Sequence, residues 1–356
     1  MGLSALSPWN LLQLVCGLAM LIAGAELLVH CAVRVAANLK VRPLLVGLTV
    51  AALGSSAPQI TISLQAAFND TPDIAVGSVI GSNIFNVLVT LGLSALIIPL
   101  RVSRQVIRLD IPLMIIASAL VFALALNNQL DRLDGAILLV GLGVYLCLLL
   151  RQSRNSGHHH TRHDQPPTSW PINILMMLLA LILLSIAGHL LLGAAVAVAT
   201  ELGLSERIIG LTIIAVSASL PELATSLIAA FRGQREIAVG NVIGSNVLNL
   251  LGVLGFTALI APEPLSVSPN ALDFDLPVML GVAALCLPVF YTGYRVTRAE
   301  GLLFLGLYLA YALHVVSFTM GMPLTSKLEH LMVFYVLPAL LVYLLFSTLR
   351  AWRRQH

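Results

Sequence analysis

Charge is what this chain has least of: Asp, Glu, Lys and Arg make up 10% of its 356 residues, against 58% hydrophobic ones. A soluble globular domain carries roughly a quarter charged residues to solvate its surface, so that class is excluded. The mean hydropathy of +0.96 points the same way. Cysteine is sparse, and Cys16, Cys31, Cys147 and Cys286 sit in apolar runs without metal-ligand spacing; they read as packing residues. No nucleophile and base pair and no zinc spacing occurs in the apolar runs, so an intramembrane enzyme is not expected. Met1 to Asn10 contains no Lys or Arg. It therefore lacks the charged start of a cleaved signal peptide, and the first apolar run reads as a retained anchor.

What the chain does have is apolar runs of about 20 residues, the length that crosses a bilayer. Roughly eleven are predicted, near 10–36, 43–68, 73–98, 108–126, 133–150, 172–199, 206–231, 236–261, 272–292, 299–317 and 329–349. Of the 19 Lys and Arg residues, all but Arg132, Arg207 and Lys327 fall on alternate turns. Basic loops stay on the cytoplasmic side, which places the N-terminus outside and the C-terminus in the cytoplasm, and an odd number of spans agrees. The net charge of +3 is then a topology signal and no evidence for nucleic acid. Compact loops and this bias point to a bacterial inner membrane.

The chain is duplicated. Gly47 to Pro99 aligns without a gap with Gly210 to Pro262, matching Gly47, Leu48 and Thr49 to Gly210, Leu211 and Thr212, and Pro58 to Pro221. Gly81, Ser82, Asn83 and Asn86 likewise match Gly244, Ser245, Asn246 and Asn249. Roughly half the positions are identical, more than shared hydrophobicity produces. Ala32, Val33, Val35, Ala36 and Leu39 recur at the same offset as Ala195, Val196, Val198, Ala199 and Leu202, so spans one to five correspond to spans six to ten. A unit with an odd number of spans enters the membrane upside down the second time, giving an inverted repeat with its binding site at the midplane. The predicted fold is an all-α polytopic membrane protein. It has a first repeat at 1–151, a cytoplasmic His-rich linker at 152–170, a second, inverted repeat at 171–320, and an extra C-terminal span with a basic tail at 321–356.

Chemistry concentrates where the duplication is strongest. Pro58 and Pro221 each interrupt a span at mid-membrane, and carbonyls just before each break are expected to lose their partners and become available to a cation. Ser55 and Gln59 share one helix face, as do Ala218 and Glu222. Gly77 with Gly81, and Gly240 with Gly244, let backbones approach closely. Beyond them Ser82 and Asn86, and Ser245 and Asn249, share a face. Gln59, Asn86, Glu222 and Asn249 with Ser56, Ser82, Ser219 and Ser245 are all oxygen donors, the ligand type hard cations require. Lone Asn or Ser residues in membranes also tie helices together, but two-fold repetition around two helix breaks favours a site. Glu26 and His189 occupy corresponding positions, and Glu26 has His30 one turn on as a local partner. The run His158, His159, His160 and His163 reads as a solvated linker, with a metal-sensing role as its rival.

At Gly54, Ser55, Ser56, Ala57, Pro58 and Gln59, and at Ser217, Ala218, Ser219, Leu220, Pro221 and Glu222, the sequence resembles the calcium/cation antiporter superfamily, above all its prokaryotic sodium/calcium exchanger branch. The resemblance covers spans one to ten. It implies ten helices in two inverted five-helix repeats, a central cluster of four ion sites, and alternating access by sliding of spans one and six. Carried over by position, that cluster is Ala52, Ser55, Ser56, Gln59, Ser82, Asn86, Ala215, Ser219, Glu222, Ser245 and Asn249, with Ala52 and Ala215 acting through their carbonyls. The chain departs from the pattern at Gln59, where the branch usually has Glu, and at Ala218, where it usually has a hydroxyl. Some members also carry Asp in place of Asn249.

With Glu222 as the only central carboxylate, Ca²⁺ leaves the cluster net positive whereas Na⁺ or a proton leaves it neutral, and an uncompensated buried charge costs several kcal/mol. The expected function is a secondary antiporter exchanging Ca²⁺ or a related cation for Na⁺ or H⁺ around Glu222, with weakened Ca²⁺ affinity. A monovalent exchanger and a non-transporting membrane sensor are the alternatives. The partners implied are the lipid bilayer and inorganic cations; no cofactor and no obligate protein partner is implied.

Overall fold

The computed structural model describes residues 7–39, 41–69, 71–155, 170–201 and 215–320. In the first half, α1 (Pro8–Leu39) is followed by α2 (Pro43–Ser55) and α3 (Ala57–Phe68), two halves of one span bent by 42°. Then come α4 (Pro72–Ile97), α5 (Val106–Asn127) and α6 (Arg132–Asn155). The second half runs through α7 (Trp170–Glu201), α8 (Ala215–Ala218), α9 (Leu220–Phe231), α10 (Arg235–Ile260), α11 (Ala271–Tyr291) and α12 (Arg298–Thr319). Among the described residues eight helices are long and apolar enough to cross a membrane, nine with the bent pair. The predicted eleventh span, the His cluster and the first part of the seventh span lie outside the described residues. α6 continues to Asn155, into the segment read from sequence as linker.

Helix ends follow local chemistry. Pro43, Pro72 and Pro221 sit in first turns, where the missing N–H has no helical acceptor to lose. Thr297 and Glu300 cap α12 reciprocally: Glu300 N–H donates to the Thr297 hydroxyl at 3.3 Å, and Thr297 N–H donates to the Glu300 carboxylate at 2.7 Å.

Two short strand pairs fix the relation between the halves. β1 (Leu100–Arg101), after α4, pairs antiparallel with β4 (Arg295–Val296), after α11. β2 (Gln129–Leu130), after α5, pairs with β3 (Leu265–Ser266), after α10. α4 and α5 end on opposite sides of the membrane. The end of α10 therefore lies opposite the end of its repeat counterpart α4, and the second repeat is inverted.

Burial separates two classes of helix. The most apolar windows of α4 and α10 are 83% and 78% buried, against 22–44% for the other uninterrupted spans. The polar-rich repeat helices thus sit at the centre. The outer helices turn stripes such as Leu133, Ile137, Val140 and Val144 outwards, at the spacing of one lipid-facing helix side. α1 and α7 pack together around their own small core, in which Leu21, Ala25 and Leu28 meet Ala180, Leu184 and Ala187.

Close packing sets the central helices against the broken span. A Cβ on Gly244 would stand 2.5 Å from the Leu48 carbonyl oxygen, and one on Gly240 would stand 2.8 Å from that of Leu44. Only glycine lets α10 lie this near to α2.

Candidate ion-binding site

The two helix breaks share one backbone geometry. Ser56 joins α2 to α3 at φ −81°, ψ 0°, and Ser219 joins α8 to α9 at φ −94°, ψ 1°. Each places a hydroxyl at a corner near the bridge region. The Ala52 carbonyl keeps a partner, accepting the Ser56 N–H at 3.0 Å, with Ser55 Oγ at 3.4 Å. Pro58 lacks the N–H that would have faced the carbonyl four residues earlier, so the carbonyl that the break deprives of its helical donor is that of Gly54. With the single Ser55 hydroxyl proton given to Asn241 Oδ1 at 3.2 Å, a second lone pair on the Ala52 oxygen is left able to accept. Ala215 opens the short helix α8.

Around these corners the polar residues interlock within and across the repeats. Ser56 Oγ donates to Glu222 Oε1 at 3.1 Å. Ser82 Oγ donates to Gln59 Oε1 at 2.9 Å, and Ser55 Oγ lies 3.4 Å from Ser245 Oγ. Ser55, Ser56, Gln59, Ser82, Asn86, Ser219, Glu222, Ser245 and Asn249 are all buried.

Asn83 and Asn246 fix the orientation of the Asn86 and Asn249 amides. Asn83 Nδ2 donates to the Asn246 main-chain oxygen and Asn246 Nδ2 to the Asn83 main-chain oxygen, each at 3.2 Å. A carbonyl oxygen can only accept, so both Nδ2 positions are determined and each Oδ1 must face the other way. Asn83 Oδ1 then accepts from Asn249 Nδ2, and Asn246 Oδ1 from Asn86 Nδ2, both at 3.1 Å. With their nitrogens held, Asn86 and Asn249 turn Oδ1 away. Those two oxygens, Glu222 Oε2 and Ser219 Oγ are buried without a hydrogen-bond partner. A buried polar atom left without a partner costs about 1–3 kcal/mol, and here the unsatisfied atoms are all able to ligate a cation. Asn86 and Asn249 also lie on π-helical turns, Asn86–Leu91 and Leu248–Val253, a deviation common at functional positions.

Asn83 and Asn246 were legible as members of the repeated motif but not as orienting groups. Ser78 and Asn241, which hydrogen-bond Gln59 and the Glu222 main chain, differ between the repeats and carried no duplication signal. Among the described residues no three His, Cys, Asp or Glu side chains come together as a metal group. The donor set is oxygen with a single carboxylate, suited to hard cations.

A cleft lined by Thr61, Gln65, Gly188, His189 and Ser217 reaches Pro58 and Ala218 at the breaks. A Cβ on Gly188 of α7 would meet Pro58 at 3.6 Å and Pro221 at 3.7 Å, so α7 lies across both corners. On the repeat-related face Ala224 and Ile228 of α9 pack against the core shared by α1 and α7, and Glu26 of α1 forms an ion pair with Arg232. The local Glu26–His30 partnership expected from helical spacing is replaced by this pair, because Arg232 ends α9 beside α1.

An inverted-repeat membrane core with buried oxygen donors gathered at paired helix breaks is the architecture of an ion-translocating protein. The sodium/calcium exchanger protein family matches residues 9–151 and 172–317, and the chain belongs to that family. CaxA of Alkalimonas amylolytica is 36% identical over 304 residues, covering 83% of this chain and 95% of that one. The sodium/calcium exchanger MaX1 of Methanosarcina acetivorans is 29% identical, covering 85% and 97%. A solved structure of the sodium-calcium exchanger NCX_Mj superposes with a TM-score of 0.74 at 28% identity, over 87% of this chain and 98% of that one. The chain is a multi-pass membrane cation antiporter.

Proposed function

We propose that this antiporter exchanges Ca²⁺ or a related cation for Na⁺ or H⁺, the competing ions taking turns at Glu222. The observation that carries this reading is the group of four buried, unpartnered oxygens, Asn86 Oδ1, Asn249 Oδ1, Ser219 Oγ and Glu222 Oε2. Ser55, Ser56, Gln59, Ser82 and Ser245, with the carbonyls of Ala52 and Ala215, complete the proposed cluster. Ions that share one carboxylate exclude each other by charge, which couples their movements. The distribution of basic residues supports a cytoplasmic linker and C-terminus in a bacterial inner membrane. The proposed division keeps the repeats at 1–151 and 171–320, with the linker at 152–170 between them and the extra C-terminal span at 321–356.

Radioactive Ca²⁺ uptake into proteoliposomes holding the purified protein, with and without an outward Na⁺ gradient, tests the reading. Na⁺-driven uptake by wild type that disappears in Glu222→Gln is expected. Unchanged exchange in that variant would overturn the assignment of the central ligand.

One observation favours a monovalent exchanger as the second reading. Gln59 supplies no charge, and its nitrogen is already committed to Ser78 at 2.9 Å. Under that reading Ca²⁺ does not compete with Na⁺ flux.

A further inference from the structure

The two halves of the site are identical at Ser56/Ser219, Ser63/Ser226, Ser82/Ser245 and Asn86/Asn249, and among the positions where they differ are Gln59/Glu222, Ser78/Asn241 and Ser55/Ala218. These three belong to one hydrogen-bonded unit. Beside Glu222, Asn241 Nδ2 donates to the Glu222 main-chain oxygen at 3.2 Å and to Ser226 Oγ at 2.9 Å, while its Oδ1 accepts from Ser55 Oγ at 3.2 Å. Every group of the Asn241 amide is engaged, and the Glu222 side chain takes none of them.

The other half is built differently. Gln59 Nε2 donates to Ser78 Oγ at 2.9 Å and lies 3.4 Å from Ser63 Oγ. Ser78 in turn donates its own proton to the Ala75 main-chain oxygen at 3.0 Å, so toward Gln59 it can only accept. An amide N–H satisfies that acceptor; a carboxylate oxygen meets its lone pairs. Ala218, in the place of Ser55, is 1% exposed and has no hydroxyl to give to position 78. None is needed there, because serine has no counterpart of the Asn241 Oδ1. Each of the three residues fits the other two.

We propose that Gln59, Ser78 and Ala218 form one specificity set that makes this half of the site charge-neutral. Ser78 is the positioning residue, holding the Gln59 nitrogen away and leaving Oε1 beside Ser82 among the ion ligands. The inference rests on the reading of the cluster as a cation site. It adds that Gln59 is a built ligand, and that a second carboxylate requires its own partners.

Cation-dependent thermal stabilisation of the purified protein in Na⁺ or Ca²⁺ reads the site without requiring transport. Ser78→Ala frees the Gln59 amide to turn its nitrogen inward and is expected to weaken cation affinity about fivefold, the worth of one hydrogen bond. In a Gln59→Ala background the same change is expected to do nothing further. A packing role for Ser78 would lower affinity equally in both backgrounds, and that result overturns the proposal. Gln59→Glu alone is expected to leave Ca²⁺ stabilisation at or below wild type, and Gln59→Glu with Ser78→Asn and Ala218→Ser to raise it. Equal behaviour of the single and triple variants also overturns the proposal. No cation-dependent shift in wild type would overturn the site reading itself, and this inference with it.

Discussion

Asn83 and Asn246, one from each repeat, hold each other's main-chain carbonyls through their side-chain amides at 3.2 Å in both directions. This reciprocal clasp joins α4 to α10 at the centre of the molecule. It also dictates which end of Asn86 and of Asn249 is left free.

Removing either member therefore has two effects. Asn83→Ala releases Asn249 Nδ2 and strips a donor from the Asn246 carbonyl, and is expected to lower stability by about 2–4 kcal/mol, the scale of two lost buried hydrogen bonds. Cation affinity should fall about tenfold as the Asn249 amide becomes free to rotate. Thermal unfolding with and without Na⁺ separates the two, since only the second changes the cation-dependent increment. Asn246→Ala should behave in the same way through Asn86.

Glu222→Gln tests the charge alone. The shape is conserved and Ser56 still has an oxygen to donate to, so stability without cations should change by no more than about 1 kcal/mol, while the stabilising effect of added cation is lost. A variant that unfolds instead would assign Glu222 a structural role. The measurement is a melting curve at several Na⁺ and Ca²⁺ concentrations.

Gly244→Ala is expected to be severe. The added methyl meets the Leu48 carbonyl at 2.5 Å and the Leu48 Cα at 2.8 Å, backbone atoms with little freedom to move. α2 and α10 must separate, displacing Ser245 beside Ser55, at a cost of about 1–3 kcal/mol or more. Reduced detergent-stable yield and weakened cation stabilisation together are the expected result. Gly306→Ala, where an added Cβ has no atom within 4 Å, serves as the tolerated control.

The Glu26–Arg232 pair is solvent-exposed, with side-chain exposures of 43% and 63%, so its worth to stability is below about 1 kcal/mol. Its location where α9 meets α1, on the face related to the cleft by the repeat, gives it a different importance. Glu26→Gln should favour opening of that face and closure of the cleft opposite, lowering the rate at which a thiol reagent labels Gln65→Cys. Exchanging the charges, Glu26→Arg with Arg232→Glu, should restore labelling. Unchanged labelling in Glu26→Gln would show that apolar packing on Ala224 and Ile228 closes the face unaided.

Spans were the most legible part of the molecule, because long apolar runs and the gap-free repeat both survive in one dimension. Inversion followed from counting spans. The residues brought together at the breaks were legible where the repeats agree, as at Ser56 and Ser219 or Asn86 and Asn249. Ser78 and Asn241 were not, since their importance comes from what they touch. Nor was the partner of Glu26: helical spacing proposes His30, but Arg232 lies 206 residues away in sequence. The π-helical turns and the two-residue strands left no trace in residue type, being consequences of packing between halves.

The strand pairs carry one more consequence. They stitch the loop after α4 to that after α11, and the loop after α5 to that after α10, while among the described residues no strand pair involves α1 or α7. Those two helices share their own apolar seam. A shift of the pair along the stitched body would break none of these ladder bonds. It would exchange one set of aliphatic contacts for another, like a carriage on a clamped rail, and Glu26 with Arg232 would be the brake.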